Sequence, residues 1–296
     1  MCLLATWTVW GSIYLAIKIA LQSFPPFIQM GGRFLVAGII VLIWSRWHES
    51  PWPTPREWRN AMIVGVLMMV TGMGCTAYAE QTIASTLAVV FVACVPMLMV
   101  LFGRWLGGVR PDGLELAGIM VGLVGVLLLV RGHGFGASPI GLVAMCISVT
   151  GWSLGSVLSR YKLLLAPGAM GYASEMLCGG VALCVVSNLS GEHVAWPPLS
   201  TAVLAWAYLV VFGSLIAFNA YMFLLSHVRP GTASSYTLVC PVVGLALGVT
   251  IAGEVLSKSE WAASGVILAG VVLLLWGSVR RSKLSQSVAV ATAEGH

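Results

Sequence analysis

Charged residues are scarce in this sequence. Asp, Glu, Lys and Arg together make up 8% of its 296 residues, whereas a soluble domain has about 25%. With 59% hydrophobic residues, the chain has too few charges to cover a globular surface in water. This excludes soluble enzymes, nucleic-acid-binding proteins and disordered proteins, and lipid is the expected solvent. The net charge of +5 does not indicate a nucleic-acid partner, because the basic residues are scattered over short loops.

Motifs that bind metals or nucleotides are also missing. The seven cysteines form no CxxC and no other metal-binding spacing, and the five histidines all fall in predicted loops or in the tail. No P-loop is present. We therefore expect no metal, no cofactor and no ATP hydrolysis within this chain.

What the sequence does contain is a series of ten apolar stretches. Each has about the 20 residues that cross ~30 Å of hydrocarbon as a helix. Lipid offers the backbone no hydrogen-bond partner, and the stretches lack the alternation of a membrane barrel, so an all-α integral membrane protein is predicted. The predicted spans are 3–21, 27–47, 60–80, 83–106, 113–131, 139–160, 168–189, 201–225, 231–253 and 260–279.

The basic residues predict how these spans are oriented. If the N-terminus is cytoplasmic, eleven of the 15 Lys and Arg residues lie at inner loops or helix ends. Only Arg131 and Lys258 lie at outer ones, which agrees with the positive-inside rule. We expect a multi-pass protein of a bacterial inner membrane with both termini cytoplasmic. The first span should remain uncleaved, because it lacks a basic n-region and is followed by further spans.

The two halves of the chain repeat one pattern. Trp10 and Lys18 are eight residues apart in the first span, as are Trp152 and Arg160 in the sixth. The other spans match in the same order; examples are Ala77-Tyr78 with Ala220-Tyr221, and Cys94-Val95-Pro96 with Val239-Cys240-Pro241. Since each half has an odd number of spans, the second half must enter the membrane inverted. The predicted organisation is a first five-helix repeat at 1–132, a second at 139–280, and a cytoplasmic tail at 281–296.

Inverted repeats are characteristic of secondary transporters, in which two states exchange around a site near the middle of the membrane. The sequence therefore predicts a carrier that works by alternating access on a small-molecule substrate.

The chain also resembles the EamA family of the drug/metabolite transporter superfamily over about residues 3–279. The residues that carry the resemblance are Trp10-Gly11-Ser12, Arg33-Phe34 with Ala37, Pro241, Gly253-Glu254, and Gly265 with Gly270. The resemblance implies ten helices in two repeats, with spans 5 and 10 bracing the outside. It also implies export of small metabolites, amino acids among them, and the branch most similar to this chain includes aromatic amino-acid exporters.

One departure from the family pattern concerns acidic residues. The first half has Gly107-Gly108-Val109 where the second has Gly253-Glu254-Val255, so only one of the paired acidic positions is present. The first span also lacks the glutamate on which the four-helix multidrug relatives rely, which argues against antiport of large cations.

Two charges inside predicted spans are candidate functional residues, because buried charge is costly in a membrane. Arg33 is expected about 9 Å below the outer surface, at 1.5 Å per residue, and Glu175 at a similar depth from the inner side. A direct salt bridge between them is therefore not expected. Arg33 could hold a substrate carboxylate, and Glu175 an amino group or a transported proton; alternatively, each extends to the nearer surface. Lys18 and Glu80 are expected at the rim, or paired with each other.

Polar and aromatic side chains in the apolar spans are further candidates for the substrate pathway. Pro96 and Pro241 occupy equivalent positions and should free backbone carbonyls four residues earlier. The remaining candidates provide ring faces or hydrogen-bonding groups, which favours substrates with an apolar or aromatic part. These residues are Trp10, Tyr14, Tyr78, Trp152, Asn219 and Tyr236.

Glycines on one face of spans 5 and 9 predict close helix packing. They are Gly118, Gly122, Gly125, Gly244 and Gly248. Packing within one chain is favoured over a dimer interface, so we expect a monomer or weak homodimer surrounded by lipid.

Two alternatives to a transporter remain at this point. One is an intramembrane hydrolase, because Gly151 to Gly155 fits the G-x-S-x-G motif around Ser153. That chemistry requires a strand-to-helix turn and a histidine partner, neither of which the predicted apolar helix provides. The other alternative is a structural membrane protein without transport activity.

Overall fold

The computed structural model describes residues 1–83, 88, 91–108, 112–130, 138–243 and 258–294. The regular elements in these ranges are helices, which confirms the all-helical prediction. They are α1 (Cys2–Ala20), α2 (Pro26–Trp47), α3 (Pro55–Ala79), α4 (Val95–Leu106), α5 (Gly113–Val130), α6 (Pro139–Tyr161), α7 (Ala169–Leu189), α8 (Ser200–His227), α9 (Pro230–Ala233) and α10 (Lys258–Glu294).

Six of these helices are long and apolar enough to cross a membrane, namely α1, α2, α3, α6, α7 and α8. Three shorter apolar helices lie at Phe91–Leu106, Gly113–Leu128 and Trp261–Gly277. These bounds agree with the predicted spans to within a few residues in most cases. The predicted ninth span begins at α9 and continues as helix over 236–243; its remainder, with Gly244, Gly248 and Glu254, lies outside the described residues.

Helix α3 begins earlier than the predicted 60. Thr54 accepts a hydrogen bond from the backbone N–H of Glu57, whose side chain accepts one from the backbone N–H of Thr54. This capping box satisfies backbone donors that the helix itself cannot, and Pro55 suits the first helical position. The helix therefore includes Arg56 and Arg59. The predicted span started at residue 60 because these charged residues were excluded from an apolar stretch.

Helices α3 and α8 each contain a wide, π-helical segment in the middle. The segments are Val66–Gly74 and Leu209–Phe218, and α-helical residues lie on both sides of each. π-Helical turns are rare and often occur at functional sites. Hydropathy gave no indication of either segment.

Loop contacts define two ends of the bundle. At the end where α1 begins, called the N-terminal end here, Asn60 donates a hydrogen bond to the Leu164 carbonyl at 2.9 Å. At the opposite end, the connection after α1 meets the loop after α7: the Leu199 backbone N–H donates to the Ser23 hydroxyl at 3.0 Å.

Helices α5 and α10 pack mainly against each other. A Cβ atom at Gly118 would lie 2.7 Å from the Gly270 carbonyl, and one at Gly125 would lie 2.8 Å from the Ile267 backbone N. The absence of side chains at these positions lets the two backbones approach closely. The glycines of span 5 thus pack within the chain.

Candidate functional site

A cavity with about 570 Å³ of empty space lies among the helices. Its lining comes from α1, α2, α3, the start of α4, α6 and the residues after α9. The cavity lies closer to the end of the bundle that is opposite the N-terminal end. Ile17 belongs to the last turn of α1, and Met30 belongs to the first turns of α2. The lining residues are Trp10, Ile13, Ile17, Met30, Arg33, Gly72, Met73, Thr76, Val92, Val95, Ser148, Val149, Trp152 and Tyr236.

Arg33 is the charged residue among the described lining residues. Its side chain is fully buried. One guanidinium nitrogen, Nη2, lies 3.0 Å from the Met73 sulfur, and the group lies 4.6 Å from the centre of the Phe34 ring. Nε and Nη1 have no hydrogen-bond partner among the described residues. Because guanidinium is a donor only and stays charged, this group can receive an anion such as a carboxylate.

The π-helical segments of α3 and α8 approach Arg33 from two sides. Met73 belongs to the first segment, and Gly213 to the second; a Cβ atom at Gly213 would lie 3.8 Å from Nη1 of Arg33. The guanidinium thus lies between the two π-helical segments.

A cluster of three oxygens forms another polar part of the lining. The Thr76 and Ser148 hydroxyls are 2.6 Å apart, and each lies within hydrogen-bonding distance of the Gly72 carbonyl, at 3.0 and 2.7 Å. Thr76 and Gly72 belong to α3, whereas Ser148 belongs to α6. This hydroxyl cluster therefore joins α3 and α6 at the cavity wall.

Four aromatic residues pack together on the N-terminal side of the cavity. Trp10 lies 4.2 Å from Tyr236, 5.1 Å from Tyr221 and 5.6 Å from Trp152, measured between ring centres. The Tyr221 hydroxyl also lies 2.8 Å from the Ser156 hydroxyl. These rings form an apolar floor suited to an apolar or aromatic side chain.

The structure brings together four of the ten predicted site residues. Trp10, Arg33, Trp152 and Tyr236 all line the cavity. The side chain of Tyr14 lies outside the described residues.

Two other predicted site residues, Tyr78 and Asn219, are not among the described residues that line the cavity. Tyr78 stacks on Phe27, with 6.0 Å between the ring centres. Asn219 directly follows the second π-helical segment and donates hydrogen bonds to the Ser214 and Leu215 carbonyls within it.

The two predicted prolines are buried beside the cavity lining. A turn at Cys94 interrupts the helix just before Pro96, which occupies the first turn of α4. Its neighbour Val95 and the preceding Val92 line the cavity. Pro241 lies in the helical residues that follow the cavity-lining Tyr236.

Glu175 is fully buried in α7, away from the described cavity lining. Neither carboxylate oxygen has a hydrogen-bond partner among the described residues. It lies at the crossing of α3 and α7, where a Cβ atom at Gly65 would be 2.9 Å from its backbone carbonyl. No ion pair within 4.0 Å joins its carboxylate to Arg33 in the described part of the chain. Glu80, which was predicted at the rim or paired with Lys18, also has buried carboxylate oxygens without a hydrogen-bond partner among the described residues.

Thr76 and Ser148 were not among the predicted site residues, whereas Tyr221 was noted in the sequence beside Asn219 and Tyr78 as a hydrogen-bonding group in an apolar span. Tyr221 carried a sequence signal, because it is the counterpart of Tyr78 in the repeat pattern. Thr76 and Ser148 carry no such signal in the sequence. Threonine and serine are ordinary residues of membrane helices, where their hydroxyls commonly bond to the backbone carbonyl one turn earlier.

Ser153 does not form a nucleophile site. It is fully buried, and its hydroxyl donates to the Val149 carbonyl at 2.6 Å. Among the described residues, no three His, Cys, Asp or Glu side chains cluster in a way that could hold a metal ion.

Comparison with a protein-family profile gives a match over nearly the whole chain. Residues 1–131 and, separately, residues 139–276 match the profile described as the EamA-like transporter family.

Similar proteins are known from several organisms. The chain is 40% identical over 276 residues to the "uncharacterized inner membrane transporter YedA" of Escherichia coli K12, covering 93% of this chain and 90% of that one. It is 20% identical to a "probable amino-acid metabolite efflux pump" of the same strain, covering 91% and 92% of the two chains. One crystal structure superposes with a TM-score of 0.77 at 22% identity, covering 94% of this chain and 96% of that chain, which shows that the fold is shared.

Proposed function

The chain belongs to the EamA-like transporter family, and we propose that it is a secondary transporter that exports small metabolites by alternating access. The proposed substrates are amino acids with apolar or aromatic side chains. Membership in this family, together with relatives named as transporters, makes it a transporter and not an enzyme.

The observation that carries the substrate proposal is the unpartnered Arg33 guanidinium beside an aromatic cluster in one cavity. The guanidinium suits a carboxylate, and the rings suit an apolar side chain. The direction of transport is suggested by relatives at about 20% identity that are named as amino-acid metabolite efflux pumps.

We further propose ten membrane spans in two inverted repeats, 1–132 and 139–280. The separate profile matches support this division. So do the π-helical segments, because they occur at the middle of the third span of each half.

Contacts between helices support the alternating-access part of the proposal. At the N-terminal end, Glu115 of α5 pairs with Arg229 before α9 at 2.7 Å, and Arg160 of α6 donates to the Leu225 carbonyl of α8. The buried rings of the aromatic floor pack against one another on the side of the cavity that faces this end. A carrier closed at one end and hollow towards the other corresponds to one state of such a cycle.

The protein is proposed to reside in the inner membrane with both termini cytoplasmic, as a monomer or weak homodimer. The basic residues support this orientation, and the YedA relative is named as an inner membrane transporter. Glu175 is the proposed site of proton coupling, because its buried carboxylate has no hydrogen-bond partner among the described residues.

Counterflow in vesicles that contain only this chain tests the proposal. Vesicles preloaded with an unlabelled amino acid should accumulate the labelled form from outside, across a panel of aromatic, aliphatic and charged amino acids. Accumulation is expected for the aromatic and aliphatic members. If no member of the panel exchanges while the protein is correctly folded in the vesicles, amino-acid transport is wrong.

A further inference from the structure

Resting on the proposed function, we infer that the hydroxyl cluster of Thr76, Ser148 and the Gly72 carbonyl binds the ammonium group of the substrate. The cavity would thereby select α-amino acids over carboxylic acids that lack the amino group.

The hydrogen-bond inventory of the cluster gives it this specificity. Each hydroxyl has one proton to donate and two lone pairs with which to accept. The 2.6 Å contact between Thr76 and Ser148 uses one of the two protons, and a contact to the Gly72 carbonyl uses the other. Both protons are then used inside the cluster, so the remaining lone pairs can only accept.

An acceptor-only cluster complements a ligand group that only donates. An ammonium group has three N–H donors and no acceptor, whereas a carboxylate at the same oxygens would gain a donor only if one of the internal hydrogen bonds of the cluster broke. Hydrogen bonds to a charged group are also stronger than neutral ones.

Arg33 supplies the opposite chemistry in the same cavity. It has only donors, and Nε and Nη1 are without partners among the described residues. The described lining therefore presents a donor-only group and an acceptor-only cluster, which together match the two charged groups of a zwitterion.

The two groups face the same cavity from neighbouring positions. The Arg33 guanidinium lies 3.0 Å from the Met73 sulfur, and Thr76 lies three residues further along α3. The carboxylate and the ammonium group of an α-amino acid share one α-carbon, so one substrate can present the carboxylate to Arg33 and the ammonium group to the hydroxyl cluster.

Equilibrium binding to the purified full chain in detergent tests the inference. The probes are radiolabelled phenylalanine and 3-phenylpropionate, which differ by the amino group. The unmodified protein should bind phenylalanine at least about tenfold more tightly, the effect of one hydrogen bond to a charged group. Equal affinities would overturn the inference without any variant being made.

Variants then assign the preference to the cluster. Thr76→Val and Ser148→Ala should each weaken phenylalanine binding about tenfold or more and leave phenylpropionate binding unchanged. Thr76→Ser, which keeps a hydroxyl, should retain the preference. Ser153→Ala is the matched control, because this serine is buried in the same helix as Ser148 and does not line the cavity.

The possible results separate this inference from the proposed function. If Thr76→Val and Ser148→Ala weaken both probes equally, or neither, the ammonium site is wrong and amino-acid transport stands. If the unmodified protein binds neither phenylalanine nor leucine, the proposed substrate class fails and the ammonium site fails with it. Thermal melting of each variant identifies any loss of binding that follows from misfolding.

Discussion

At the scale of single residues, Arg33 combines full burial with unused donors. Charged side chains inside a membrane protein are costly unless they pair, coordinate or bind a ligand. Here the available contacts are a methionine sulfur and an aromatic face, both weaker than a carboxylate. Substitution of Arg33 is therefore the first test of substrate recognition.

Replacing Arg33 with Gln should weaken amino-acid binding about tenfold or more, because one charge-assisted hydrogen bond contributes about 1.5–3 kcal/mol. Arg33→Lys should restore only part of this, since an ammonium cannot form the forked contact of guanidinium. The apparent KM in counterflow measures the effect. Arg46→Gln is the control, because Arg46 bonds to the Ser50 carbonyl in an exposed position. An unchanged KM for Arg33→Gln would contradict the assignment.

Glu175 allows a separate test of energy coupling. Glu175→Gln keeps the shape of the side chain but cannot exchange a proton at that position. If this carboxyl carries the transported proton, the variant should still exchange substrate in counterflow, while net transport no longer responds to an imposed pH gradient.

The control is Glu192→Gln, because the Glu192 carboxylate accepts from the backbone N–H groups of Phe27 and Ile28 and is not enclosed like Glu175. This variant should keep its response to the gradient. A Glu175→Gln protein with the full response would show that coupling resides elsewhere.

At the scale of helices, the contact between α5 and α10 depends on glycine. A Cβ atom at Gly270 would lie 2.7 Å from the Gly122 Cα and 2.8 Å from the Gly118 carbonyl. These distances join backbone atoms, which cannot move aside as a flexible side chain can. By contrast, no atom of the described residues lies within 4 Å of a Cβ position added at Gly265 of the same helix.

Gly270→Val should therefore destabilise the protein by about 1–3 kcal/mol, the usual range for overpacking, whereas Gly265→Val should have little effect. Both changes alter helix propensity equally, so their difference reports packing. Apparent melting temperatures in detergent provide the measurement. Similar melting temperatures for the two variants would mean that the close approach of the backbones is not required.

The Glu115–Arg229 pair joins α5 to the residue that precedes α9 at the N-terminal end. Glu115 is almost fully buried, and Arg229 is 18% exposed. Removing one partner leaves the other charge in a poorly solvated position, whereas removing both avoids that cost.

We expect Glu115→Gln and Arg229→Gln each to lower the melting temperature, and the double variant to lower it by less than the sum. The coupling free energy should lie within about 0.5–3 kcal/mol, as for other residues in contact. Strict additivity of the two changes would show that the pair contributes no mutual stabilisation.

At the scale of the whole molecule, the proposed orientation can be tested with reporter fusions. Alkaline phosphatase joined after residue 193 should be active, because this loop is expected on the outer side. The same enzyme joined after residue 50 should be inactive. Activity with the reverse pattern would invert the topology and move the cavity towards the cytoplasm.

Much of the architecture was predictable because it depends on simple properties of the chain. Hydropathy located the helices. The capping box of Thr54 and Glu57 was also present in the sequence, but the predicted span began after it because charged residues follow Thr54. The cavity-facing sides were harder to predict, since the helices are apolar all round. Met30, which lines the cavity, and Ile40, which is 46% exposed, belong to one helix and one chemical class.

The same contrast, between features visible in the sequence and features that arise only from packing, applies to the site residues. Arg33 was identifiable because charge is uncommon inside spans, and Trp10 and Trp152 because their rings lie away from the span ends. The hydroxyl cluster was not, because its chemistry arises only when Ser148 of α6 meets Thr76 of α3. The hydropathy of the chain likewise gave no indication of the π-helical segments.

The glycine contact between α5 and α10 also has a practical consequence for measuring motion. With backbones so close, the two helices have little freedom to slide or separate, and neither contributes to the described cavity lining. They can act as a fixed coordinate frame. Spin labels at Leu128 and Leu268, both exposed, should keep a constant separation during turnover, so distances from either label to α3 or α8 would report the moving helices directly.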